Sequence, residues 1–285
     1  MVLSKKLGIH AALCAVVRKR ARIFAWMLIL LCSATAGSTT AQTEGRPDVA
    51  VPEPQRKAAS RTFVLSAVTY DMAVEGRDRF SNALEELVRF FTASTAVDAV
   101  LSWNVHDLNT RYAQQPLLLY MTGNEAAFTF GEYEKRNLGN YLKSGGLLYA
   151  EDVEPQRSHW AWGRPSAGMP GTPFDRQFKT LMKDALVLGK TGAYWRKIPK
   201  DHALYTSYFD FDDGPPRGAV RNSQIDYLEM LEQRGRVVVI FSELNISMHW
   251  ANPKAKNRDK SLRLGANLIV FAMTQQISGG LGTGK

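Results

Sequence analysis

The stretch Gly145-Gly146-Leu147-Leu148-Tyr149-Ala150-Glu151-Asp152 constrains the fold more than any other, because a glycine turn feeds an unbroken apolar run that stops on two carboxylates. A run without polar alternation cannot keep one face in water, so it belongs to a strand buried on both sides, as in parallel sheets covered by helices. Leu117-Leu118-Leu119-Tyr120-Met121, ending at Thr122-Gly123, repeats the pattern, and residues 237–241 supply a further buried strand. Between the first two runs, Leu138, Tyr141 and Leu142 mark one face of a helix. Thr129 with Glu132 fits a capping box at its start, and Gly145 is a natural left-handed cap at its end. Strand, helix and strand in this rhythm imply right-handed parallel crossovers.

The rest of the chain extends the same alternation. Residues 63–70 read as a first strand, and Leu84, Leu87, Val88 and Phe91 then recur at helical spacing in a helix starting near residue 81. A short strand is expected at residues 97–101. Phe174, Phe178, Leu181, Met182 and Ala185 give the strongest helical period, and Leu262, Ala266, Ile269 and Met273 line a closing helix. Residues 153–173 have no period but carry four prolines and His159, Trp160 and Trp162, which suggests a functional loop. The expected architecture is a single α/β domain over residues 61–275, a three-layer sandwich with a mostly parallel central sheet. A flexible tail is expected over residues 276–285.

The formal charge of +9 suggests a polyanion partner until it is located. Lys5, Lys6, Arg18, Lys19, Arg20 and Arg22 precede residue 42 with no acid among them, which leaves only +3 for the remainder. Nucleic-acid binding needs a concentrated basic face, so none is expected. Those basic residues lead into an apolar block at residues 23–32 and then into small residues around Ala36 and Ala41, the pattern of a signal peptide over residues 1–41. The block is well short of the roughly 20 residues a spanning helix needs, so membrane attachment is expected only through an uncleaved leader. Residues 42–60, rich in Ala, Pro and polar residues, read as a flexible linker. The expected location is periplasmic or secreted. Cys14 and Cys32 both fall in the leader, so the exported part has no disulfide, thiolate ligand or cysteine nucleophile.

Acidic residues at the end of a buried strand are a default place for chemistry, because ligands of open α/β sheets sit outside the carboxyl ends of the strands. Alternation sends Glu151 and Asp152 to opposite faces, so they need not share a role. Glu151, Asp152 and His202 are the candidate catalytic groups, although a hydrogen-bonded structural role competes for His202. Thr122, Gly123, Asp152, His159, Trp160 and Trp162 are the candidate binding residues, with the tryptophans able to stack on sugar. The remaining motifs fail. Gly189-Lys190-Thr191 lacks the first glycine of a phosphate loop, Asp210-Phe211-Asp212-Asp213-Gly214 misplaces the glycine of a calcium loop, and no Gly-x-Ser-x-Gly elbow is present. Neither a metal-ligand motif nor a cofactor fingerprint is found.

The core runs, followed in order by Phe174-Asp175-Arg176-Gln177-Phe178, Asp201-His202-Ala203-Leu204-Tyr205 and Leu264-Gly265-Ala266-Asn267, resemble the domain of unknown function 4159 family over most of residues 61–275. The resemblance implies a flavodoxin-like sheet akin to class I glutamine amidotransferase domains. Where those relatives place a nucleophilic cysteine after a central strand, this chain has Glu151-Asp152, which excludes glutaminase chemistry of that kind. The expected function is a non-catalytic binding or assembly module at the bacterial cell envelope, partnered by an envelope protein or glycan. The competing expectation is a hydrolase of a carbohydrate or peptidoglycan-type substrate with Asp152 or Glu151 as acid/base.

Overall fold

The structure, a computed structural model, describes residues 61–70, 82–112, 114–123, 128–153, 173–219 and 225–280. The leader, the linker and the loop bearing His159, Trp160 and Trp162 lie outside the described residues. Seven strands form one sheet: β1 (Arg61–Thr69), β2 (Ala99–Asp107), β3 (Leu118–Gly123), β4 (Leu147–Asp152), β5 (Arg196–Lys197), β6 (Glu229–Gln233) and β7 (Arg236–Ser242). Their spatial order is β2-β1-β3-β4-β7-β6-β5. The first five in that order pair in parallel, and β6 and β5 continue the sheet antiparallel. Counting β7 as the fifth parallel strand gives the 2-1-3-4-5 order of flavodoxin-like sheets.

Among the described residues five α-helices flank the sheet: α1 (Ala83–Ser94), α2 (Glu132–Lys143), α3 (Pro173–Lys183), α4 (Ser247–Ala251) and α5 (Arg258–Gly280). They divide between the two faces, as the continuous apolar strands require. Leu84, Leu87 and Phe91 of α1, Trp250 of α4 and Leu262, Ile269 and Met273 of α5 share one core with Tyr149 of β4. Leu138 and Leu142 of α2 and Phe174, Phe178 and Met182 of α3 share the other with Leu148 and Ala150. The three-layer α/β sandwich is therefore as the apolar runs demand, and all six residues of β4 are buried at its centre.

Several boundaries differ from the sequence pattern for local physical reasons. Gly145 does take the left-handed conformation, at φ 96°, and Gly146 packs so closely on the Tyr141 ring that a Cβ would collide with it. The start of α2 is capped two residues later than the Thr129 and Glu132 pairing implies, with Glu134 accepting the Gly131 N–H at 2.7 Å. Strand β2 is longer than residues 97–101 because it pairs with β1 along nine positions. Helix α5 runs to Gly280, past the residue at which a tail was expected. Strands β5 and β6 were not visible in the sequence. The β6–β7 turn is Arg234-Gly235, both at positive φ, the geometry of a type I′ hairpin carried without the usual Asn-Gly signal.

Candidate functional site

The parallel register brings strand ends level at one edge of the sheet. Thr122 pairs with Glu151, Gly123 with Asp152, and Glu151 with Ser242, so β3, β4 and β7 finish side by side. Alternation along β4 separates the two acids as expected: Tyr149 and Glu151 face the α1, α4 and α5 layer, while Ala150 and Asp152 face the α2 and α3 layer.

Glu151 is wholly buried, at 0% exposure, and both its oxygens are engaged. Oε1 accepts from Tyr149 Oη at 2.9 Å, Ser242 Oγ at 2.8 Å and the Ile246 N–H at 2.6 Å. Oε2 accepts from the Ser247 N–H at 2.7 Å and from the Ser247 hydroxyl. Desolvation pushes the carboxyl pKa up, against the pull of donors that favour the anion. Five donors on one buried carboxyl tie β4 to the end of β7 and the start of α4. Such a group positions backbone and offers no oxygen to a ligand.

On the opposite face Asp152 belongs to a different environment. Asp175 lies in the first turn of α3, Glu229 opens β6, and Glu243 follows directly on β7. Each of these three offers a carboxylate oxygen, and the three atoms lie within 4.8 Å of one another. Asp175 and Glu243 are 4% and 5% exposed. Lys179 joins the group: its Nζ lies 2.7 Å from Asp175 Oδ1 and 2.6 Å from Glu229 Oε2, and 5.3 Å from the centre of the Phe241 ring. The Glu243 carboxyl is pushed up to about 8, first by burial and then by the negative charge of Asp175, with Asp152 and Glu229 adding to it and Lys179 opposing. At neutral pH it therefore holds its proton in the company of other acids. Among the described residues its Oε2 is buried without a hydrogen-bond partner.

The remaining candidates fall into structural surroundings. Gly123 sits where any Cβ would run into the Phe174 ring, so it permits the close approach of α3 that places Asp175. The Thr122 carbonyl accepts from the Tyr70 hydroxyl. Tyr70 also packs edge-on against Phe128 and Phe130 at 5.4 and 5.7 Å, so aromatic side chains occupy the point where the order turns between β1 and β3. His202 caps the short 3₁₀ turn Ala203–Thr206, with Nδ1 accepting the Leu204 N–H at 3.1 Å. That turn is held by Asn267 of α5, which donates to the carbonyls of Leu204 and Phe209 and accepts the Phe209 N–H. His202 is thus far more a cap than a shuttle in its contacts, and burial lowers its pKa.

Asp175, Lys179, Glu229 and Glu243 were missed as site residues. One signal was available for Glu243: residues 237–243 end an apolar run on Ser242-Glu243 just as β4 ends on Glu151-Asp152. Asp175 and Glu229 look like ordinary surface acids until the fold gathers them. No curated protein matches the chain. The family described as a domain of unknown function, DUF4159, matches residues 64–273, which takes in every described strand end and helix of the site. Over that span, about three quarters of the sequence, the chain belongs to the DUF4159 family.

Proposed function

We propose that the protein is an exported, non-catalytic binding module of the bacterial cell envelope, periplasmic or secreted, that takes a cationic group at the carboxyl edge of β4 and β7. The supporting observation is the acidic cluster itself: carboxylate oxygens of Asp175, Glu229 and Glu243 lie within 4.8 Å of one another, with Lys179 paired to the first two and the charge of Asp152 acting on Glu243. Bringing acids together in a buried place is costly, and a positive ligand group offsets that cost directly. The basic and apolar leader supports export, and among the described residues no helix is long and apolar enough to cross a membrane. An envelope protein or glycan bearing amino groups is the partner of matching chemistry. Retention of the full chain on isolated envelope material, falling in Asp152→Asn, is the expected result. Retention unchanged by Asp152→Asn and Asp175→Asn alike overturns the placement of the site.

A hydrolase remains the second reading, and one observation favours it. A carboxyl that keeps its proton to about pH 8 beside other carboxylates is the acid half of an acid/base pair. In that reading Glu243 donates the proton and Asp152 is its partner carboxyl, while both oxygens of Glu151 are already engaged. Turnover of a glycan substrate that vanishes in Glu243→Gln would replace the binding proposal with this one.

A further inference from the structure

We propose that Asp175, Glu229 and Glu243 form a site for one hard divalent cation of the Mg²⁺, Ca²⁺ or Mn²⁺ type. The inference rests on the reading of this edge as a cation-binding recess and names its first occupant. Three features carry it. The donor set is oxygen only and comes from three separate places in the fold, the first turn of α3, the start of β6 and the residue that directly follows β7. The mutual spacing, within 4.8 Å, matches oxygens arranged around a centre about 2.0–2.6 Å from each, the range of these ions. Glu243, 5% exposed, sends an oxygen into the protein that no donor meets. Such an oxygen has to be matched by something, since a buried unsatisfied polar atom costs stability.

Lys179 supplies counter-charge to two of the three acids. It forms ion pairs with Asp175 and Glu229, whereas its effect on Glu243 is a longer-range charge interaction that leaves Oε2 without a hydrogen bond among the described residues. A divalent ion seated on Glu243 meets the oxygen that Lys179 leaves. Asp152, whose charge already acts on Glu243, lies close enough to favour the same ion without being required as a direct ligand.

The test is calorimetric titration of the chelator-treated full chain with MgCl₂, CaCl₂ and MnCl₂ in turn, paired with thermal unfolding at the same concentrations. At least one ion binds with unit stoichiometry at about 100 µM or tighter, within the range of oxygen-ligand sites, and at about 1 mM raises the midpoint by about 3 °C. Glu243→Gln weakens that ion at least about tenfold, because affinity at such sites follows the charge of the ligand set. Glu229→Gln, at a half-buried position, does the same and stands in should the first variant not fold. Absence of saturable heat or midpoint shift for all three ions at about 5 mM overturns the inference, as does equal binding by wild type and both variants. Envelope retention measured with and without chelator separates the two proposals. Ion binding without retention leaves the metal site standing and removes the envelope reading. Retention that persists in chelator with no ion binding removes the metal site alone.

Discussion

Glu151 and Glu243 stand at neighbouring strand ends of the same sheet edge, and both are almost fully buried, yet the protein treats them in opposite ways. Around Glu151 every lone pair that the fold can reach is met by a donor from β4, β7 or α4. Around Glu243 the charges that act are those of Asp175, Asp152, Glu229 and Lys179, and among the described residues one oxygen has no donor. The difference separates an acid that stabilises the fold from one that the fold tolerates. Folding alone has no use for the second arrangement, and strain of this kind concentrates where a protein meets a ligand.

The largest test of this contrast is Glu151→Ala. Removing the carboxyl strands two backbone N–H groups and three hydroxyls in a dry interior, at about 1–3 kcal/mol for each group that finds no other partner. Since the hydroxyls can rotate, a total loss of about 4 kcal/mol is expected, lowering the unfolding midpoint by roughly 10 °C for a domain of this size. A calorimetric midpoint within about 2 °C of wild type would erase the distinction between the two acids.

The contrast also separates what a sequence can show from what only a fold can. Strand β4 and its neighbours were legible because an apolar run with no alternation has one physical solution. The divergence of Glu151 and Asp152 was equally legible, because strand geometry fixes it. The partners of each were not. Ser242, Ile246 and Ser247 lie more than 90 positions from Glu151 and reach it only through the β4–β7 pairing. Asp175 falls on a strongly amphipathic helix and reads as a solvated first-turn acid, yet the collision that keeps Gly123 small lets α3 press it inward. Glu229 depended on a strand whose hairpin turn, Arg234-Gly235, carries no conventional turn signal. His202, for which a hydrogen-bonded structural role competed with chemistry in the sequence, caps a short turn that Asn267 also holds through Leu204 and Phe209.

Titration sharpens the contrast next. The Glu243 carboxyl is held up to about 8 in the folded chain against an ordinary value of 4.5. The folded state then binds the proton where the unfolded state has lost it, so this group's contribution is fully present below about pH 4.5 and is lost as pH rises through about 8. The slope contributed by one such group reaches at most about 1.4 kcal/mol per pH unit. His106, His202 and His249, all lowered by burial, act oppositely and gain stability as pH rises through their ordinary value of 6.5. Comparison of wild type with Glu243→Gln, in chelator, isolates the first effect: the variant is less sensitive to alkali and equals or exceeds wild type at pH 8. Parallel stability curves from pH 5 to 9 would show that Glu243 does not titrate in this range.

Asp152→Asn makes the smallest change and tests the recess from its other side. The Asp152 charge is one of those that raise the Glu243 pKa, after burial and Asp175. Replacing it with an amide of the same shape removes that repulsion and leaves the desolvation of Glu243 in place. The pH at which the alkaline loss of stability is half complete should therefore move down by a fraction of a unit. At pH 7 the midpoint should stay within about 2 °C of wild type, as a change under about 1 kcal/mol allows. Isotope-edited infrared spectroscopy of the Glu243 carboxyl follows the protonation directly. A Glu243 titration that does not move would mean that Asp152 faces the recess without acting on it. A midpoint lowered by as much as in Glu151→Ala would make Asp152 a second tie of the fold, and the division of labour along β4 would fail.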